Sequence, residues 1–129
     1  LATKIYTPSY ISFETVLLQE GVAFQYYETI FAASYLSREI RVDGRNYRYR
    51  RLREDILLNS AGVIQKNNYS IASKERAFLD MVYLMGSMHF DHLDQMNWDQ
   101  CFEIAKIYKT KTIIRLLNSY YQDFKDARP

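Results

Sequence analysis

The chain is predicted to be α+β, with a small, mostly antiparallel sheet flanked by one N-terminal helix and three C-terminal helices. Three observations carry this prediction. Apolar residues recur at helical spacing near the start and again from residue 74 to the end. Between residues 22 and 72 the texture changes to short runs of strand length. That stretch holds two turn signals, Asp43-Gly44 and Asn67-Asn68, each between runs able to pair. Strands and helices are therefore segregated along the chain, unlike alternating βα units.

Taken in order, Pro8 and Ser9 lead into a first helix over 13–20. Ser12 can cap it, and Gly21 can end it in the left-handed conformation. Phe13, Val16 and Leu17 form its buried stripe. Residues 29–33 are an apolar run of strand length. Residues 38–42 alternate with period two, and Asp43-Gly44 turns the chain into a return strand over 45–51. A helical turn over 54–60 separates this hairpin from a shorter one, 62–66 with 69–72. The next helix spans 74–85, where Ala77, Phe78, Met81, Val82 and Met85 follow the 3.6-residue period. Residues 86–95 read as a loop or a short helix. Asn97 with Gln100 resembles a capping box for a helix over 98–108, with Trp98, Cys101, Phe102 and Ala105 inward. The last helix spans 111–125, with Ile113, Leu116, Leu117, Tyr120 and Phe124 at helical intervals.

A length of 129 residues suits one domain, 1–129, around one core. Two prolines and four glycines leave little room for linkers. No apolar run approaches the roughly 20 residues that cross a bilayer, and no secretion signal opens the chain. With Cys101 as the single cysteine, these features predict a cytoplasmic protein with no membrane partner. Cys101 itself is expected to be a buried small hydrophobe. A start at Leu1 rather than Met predicts a piece of a longer chain.

The net charge is only +2, yet Arg38, Arg41, Arg45, Arg48, Arg50, Arg51 and Arg53 crowd one short span. That cluster, rather than the global charge, bears on partners. Arg45, Tyr47, Tyr49 and Arg51 would face one way on a strand, and Arg48 and Arg50 the other. Three uses compete: a charged edge that blocks edge-to-edge pairing, an interface for an acidic protein, or a phosphate contact to nucleic acid. The 12 tyrosines finish a small core or make an adhesive surface.

The helix over 74–85 carries Arg76, Asp80 and Tyr83 along one flank. An internal clamp against the sheet and a contact site for a partner both fit that flank. His89, Asp91, His92 and Asp94 gather in a stretch without strong metal-ligand spacing, which reads as a polar loop. No phosphate loop, nucleophile elbow, zinc box or helix-turn-helix spacing is present, so neither catalysis nor a cofactor is expected.

Three segments carry a resemblance to a known family. They are Tyr6-Thr7-Pro8-Ser9-Tyr10-Ile11-Ser12-Phe13-Glu14-Thr15, the strand region with Asp43-Gly44 and Tyr47, and Ile71-Ala72-Ser73-Lys74-Glu75-Arg76-Ala77-Phe78-Leu79-Asp80 with Tyr83. In order and spacing they resemble the AbiEi antitoxins of bacterial type IV toxin–antitoxin systems, which act in abortive phage infection. The match spans about residues 6–83, with Ser73, Glu75, Arg76, Asp80 and Tyr83 on its third motif. The resemblance implies the C-terminal domain of such an antitoxin, which counteracts a nucleotidyltransferase-like toxin directly or indirectly. It also implies a winged helix before Leu1 that binds DNA and represses the operon's own promoter. The partner-binding candidates are Arg45, Tyr47, Arg48, Tyr49, Arg50, Arg51 and Arg53. A nucleic-acid-binding accessory domain using the same strand is the alternative.

Overall fold

The computed structural model describes residues 1–21, 28–90 and 92–127, and among them the fold is α+β. The strand-like texture read at 22–27, and Asp91 of the histidine stretch, lie outside the described residues. Six helices and a six-stranded mixed sheet make up the rest. The elements are α1 (Ala2–Ile5), β1 (Ser9–Ile11), α2 (Phe13–Gln19), β2 (Ile30–Ser34), β3 (Arg38–Val42), β4 (Arg45–Arg51), α3 (Glu54–Leu57), β5 (Val63–Gln65), β6 (Ser70–Ala72), α4 (Lys74–Met85), α5 (Trp98–Ala105) and α6 (Lys111–Asp126).

The strand order is β3-β4-β2-β1-β6-β5. Pairs β1–β2, β3–β4 and β5–β6 are antiparallel, whereas β1–β6 and β2–β4 are parallel. The parallel pairs are what the sequence did not announce. A parallel neighbour needs a crossover, and no local turn signal marks one. β1 was also missed. Three residues are too few to display alternation, and Ser9–Ile11 read as a lead-in to the helix. The segment is extended because it is the joint between the two halves of the sheet, with Tyr10 opposite Ala33 and Ile11 opposite Ile71.

Local chemistry explains the elements that were legible. Asp43 and Gly44 have φ of 52° and 77°, the left-handed pair of a type I′ turn, and place Val42 opposite Arg45. Three helices begin on a side-chain cap: Ser73, Asn97 and Thr110 accept from the backbone N–H of Arg76, Gln100 and Ile113. Ser12 occupies the N-cap position of α2 but makes no such bond, because its hydroxyl is committed elsewhere. Phe13 follows at φ 57°, a left-handed turn that swings the chain from β1 into α2. The helix read over 98–108 is α-helical to Ala105 and tightens to a 3₁₀ turn over Lys106–Tyr108.

The sheet buries both faces. One packs against α2 and α4, on which α5 and α6 pack in turn, and the shared core includes Phe13, Leu17, Phe78, Leu79, Ile113 and Leu117. The other carries a smaller cluster of Ala2, Ala32, Tyr47 and Tyr49. There α1 lies against β1 and β2, and the Tyr49 hydroxyl reaches from β4 to donate to the Ala2 carbonyl at 2.6 Å.

Gly62 is a close-approach glycine. Its φ is 72°, and a Cβ there would lie 2.8 Å from Arg76 Cβ and 2.9 Å from Ile104 Cδ1. Gly62→Ala is expected to destabilise by about 2–4 kcal/mol, from left-handed strain and overpacking together. At Gly44, where φ is 77° but no atom lies within 4 Å, the same change meets only the strain, about 1 kcal/mol. Denaturant midpoints of the two variants measure the difference.

Candidate functional site

Arg76 and Asp80, one turn apart on α4, are both 0% exposed. A charge so placed is tolerable only when paired and hydrogen-bonded, and both are. All five guanidinium N–H groups find acceptors. Nη1 donates to the carbonyls of Asn59 at 2.9 Å and Ala61 at 2.6 Å. Nη2 donates to the Ile56 carbonyl at 2.8 Å and the Tyr10 hydroxyl at 2.9 Å. Nε reaches Tyr10 Oη at 3.2 Å and Asp80 Oδ1 at 3.3 Å. The guanidinium also lies 5.0 Å from the centre of the Tyr10 ring.

Asp80 is surrounded by donors. Oδ2 accepts from Tyr10 Oη at 2.7 Å and Ser12 Oγ at 2.8 Å. Oδ1 accepts from Tyr108 Oη at 2.6 Å as well as from Arg76. Because Tyr10 accepts from Arg76, its own proton is directed to the carboxylate. The Arg76 guanidinium and three hydroxyl donors all turn toward the carboxylate, an arrangement that suits its ionised form.

Burial works against both charges. It is the largest influence on Asp80 and pushes the carboxyl above its ordinary value, while Arg76 and the three hydroxyls pull it back. Burial likewise lowers Arg76, but Asp80 and the oxygens of Tyr10 and Tyr108 outweigh it and the guanidinium is raised. Burial first, then the Asp80 charge, holds the Tyr10 and Tyr108 phenols well above their usual range.

The rest of this helix's motif serves the same joint. Ser73 caps the helix, and buried Glu75 accepts from the backbone N–H of Asn97 at 3.1 Å, tying α4 to the start of α5. Tyr83, grouped with the pair in the sequence, makes no hydrogen bond to it. Its ring lies 5.2 Å from that of Tyr108 and shields the carboxylate's neighbour. The clamp thus joins β1, α3, the turn before β5, α4 and the 3₁₀ turn that follows α5. Tyr108 was missed as a member. The available signal was Asp80 itself, a carboxylate on an apolar helix that requires donors from other elements.

The arginine hairpin divides into paired and unpaired groups. Tyr47 and Tyr49 are 5% and 1% exposed, packed under α1, and are not free to meet a partner. Arg50 inserts between the rings of Phe13 and Phe31, with its carbon 5.0 and 4.4 Å from their centres. It makes a two-pronged ion pair with Glu14, Nη2 to Oε2 at 2.7 Å. Glu14 is 8% exposed, so Glu14→Ala leaves a cation short of its counter-ion. A destabilisation of about 1–3 kcal/mol is expected, read from chemical denaturation. Arg53 pairs with Asp55 and donates to the Tyr108 carbonyl at 3.1 Å. Arg48 pairs with Glu39 at 3.3 Å on the exposed edge. Among the described residues, Arg38, Arg41, Arg45 and Arg51 are exposed and have no ion pair.

His92 Nδ1 lies 4.0 Å from Asp94, and no group of three metal-ligating side chains converges among the described residues. Cys101 is buried, its thiol pushed up to about 12 first by burial and then by Glu75. No helix among the described residues is long and apolar enough to cross a membrane. The chain matches no protein-family model, and comparison with curated proteins and with solved structures found no match.

Proposed function

We propose that this chain is the neutralising domain of a bacterial antitoxin, with no catalysis of its own, counteracting a nucleotidyltransferase-like toxin in phage defence. One observation carries the proposal. Two of the segments that resemble the AbiEi family lie far apart in sequence yet meet at Asp80: Tyr10 and Ser12 from the first, Arg76 and Asp80 from the third. The resemblance therefore rests on residues that act as a unit. Asp80 acts in this reading as the structural joint and neither as a catalytic nor as a contact group, since its hydrogen-bonding capacity is taken up inside the fold and it is 0% exposed. In the whole cytoplasmic protein, a winged helix before these residues would bind operator DNA and repress the operon.

The test is growth. Cells expressing the nucleotidyltransferase-like protein encoded beside this gene are expected to recover when the full-length protein is co-expressed. Continued growth arrest, with the protein folded and abundant, would refute the proposal.

The unpaired arginines favour a second use, as an accessory surface for nucleic acid. That use predicts affinity for duplex DNA that falls steeply with added salt and weakens when Arg41, Arg45 and Arg51 become Ala. Absent or salt-independent binding would eliminate it.

A further inference from the structure

Where β2 and β4 end, Pro8, Tyr35, Arg51, Leu52, Glu54, Leu57 and Leu58 enclose a cavity of about 380 Å³. Tyr35 and Leu58 at its mouth are 49% and 59% exposed, large apolar side chains that the fold leaves in water. Tyr35 is nevertheless not loose. Its ring packs edge-on against Tyr6, 6.3 Å between centres, and Tyr6 packs in turn on Tyr49 at 4.8 Å. A braced aromatic ring loses little freedom when a partner covers it.

Arg51 belongs to this spot, and Arg38 stands diagonally across the β3–β4 ladder from it, within reach of a long side chain. Arg51 lines the cavity, and its backbone N–H donates to Ser37 Oγ at 3.1 Å. Arg38 begins the neighbouring strand, opposite Tyr49. Among the described residues neither has a carboxylate partner, whereas Arg48, Arg50 and Arg53 all do. Exposed arginine beside a fixed tyrosine and an apolar hole is the composition of an interface hot spot. We infer that this cavity, with Arg38 and Arg51, receives a partner-protein segment that carries a large apolar side chain next to a carboxylate. The apolar group fills the cavity and the carboxylate bridges the two guanidiniums, each able to grip it with two N–H groups. A nucleic-acid strand fits less well, because Pro8, Leu52, Leu57 and Leu58 line the cavity with apolar groups that give a phosphate backbone no partner.

This inference rests on the antitoxin proposal, with the toxin as the partner, and the test keeps the two apart. Binding of the full-length protein to the neighbouring nucleotidyltransferase-like protein is measured by titration calorimetry, beside growth rescue. The variants are R38E/R51E, Leu58→Lys and, as control, Arg48→Glu on the paired side of the hairpin. All four positions are exposed, and circular dichroism checks the fold of each variant.

The expected result is binding by wild type, a loss of at least tenfold in R38E/R51E and in Leu58→Lys, and little change in Arg48→Glu. Equal binding by all variants would overturn the inference. So would rescue by wild type without measurable binding, which leaves the antitoxin proposal intact. Binding to random-sequence duplex DNA that R38E/R51E abolishes would reassign the surface to nucleic acid. Failure of wild type both to bind and to rescue would remove the antitoxin proposal and the inference together.

Discussion

Asp80→Ala is expected to destabilise the protein by about 3–5 kcal/mol, a large fraction of the stability of a domain this size. The effect comes from what remains behind. Arg76 stays buried and charged beside three carbonyls and a phenol, with no anion to balance it. The hydroxyls of Ser12, Tyr10 and Tyr108 lose their acceptor at the same time. Each stranded donor adds to the loss, since an unsatisfied buried polar group costs about 1–3 kcal/mol. Asp80→Asn separates charge from shape. It keeps the volume but places an NH₂ group among donors, and it is expected to lose more than half as much stability as Asp80→Ala. Urea denaturation of the two variants measures both. A change within about 0.5 kcal/mol for Asp80→Ala, the range of ordinary surface substitutions, would show that the pair does not hold the fold.

The second large effect is alkaline. Tyr10 and Tyr108 hold their protons well above the usual phenol range, chiefly through burial and then through Asp80. Tyr49 is raised to about 12, by burial first and then by Tyr47 and Tyr6. In the unfolded chain all three ionise near pH 10. The folded state then retains protons that the unfolded state releases. The stability these groups contribute is complete below about pH 10 and is lost as pH rises above it toward the folded values. Each retained proton makes about 1.4 kcal/mol per pH unit, so three together give a slope of up to about 4 kcal/mol per unit. Stability measured in urea against pH should fall steeply above pH 10. Tyrosinate absorbance should show at least three of the 12 tyrosines ionising only as the fold is lost. Smooth ionisation of all 12 with circular dichroism unchanged would contradict the hydrogen-bonded placement of these rings.

Helices and hairpins were legible in the sequence where their cause is local. The period of Ala77, Phe78, Met81 and Val82, the left-handed turn at Asp43-Gly44 and the cap at Asn97 each act within a few residues, and each element lies where they put it. β1 and the parallel pairs were not legible, because they depend on partners 17 or more positions away, such as Tyr47 for Ile30 and Ile71 for Ile11. The site divides in the same way. Arg76 and Asp80 stand one helical turn apart and could be paired by spacing alone. Tyr10, Ser12 and Tyr108 join them only through the folded path of the chain. Gly62 was invisible for a similar reason, since what excludes a side chain there is Arg76 and Ile104. On the hairpin, strand alternation separated Tyr47 and Tyr49 from Arg48 and Arg50 correctly. It could not tell that the tyrosines face a second core beneath α1, or that Arg50 is claimed by Glu14.

The carboxylate of Asp80 collects its donors from 70 and 68 residues before it and 28 after it. Closing that ring requires nearly the whole polypeptide, so the contact is nonlocal and folding should be slow for so small a chain. A protease cut or stop codon upstream of Tyr108 would leave a remnant that keeps most of its strands yet fails to lock. The sheet and the C-terminal helices are thus expected to fold together rather than apart.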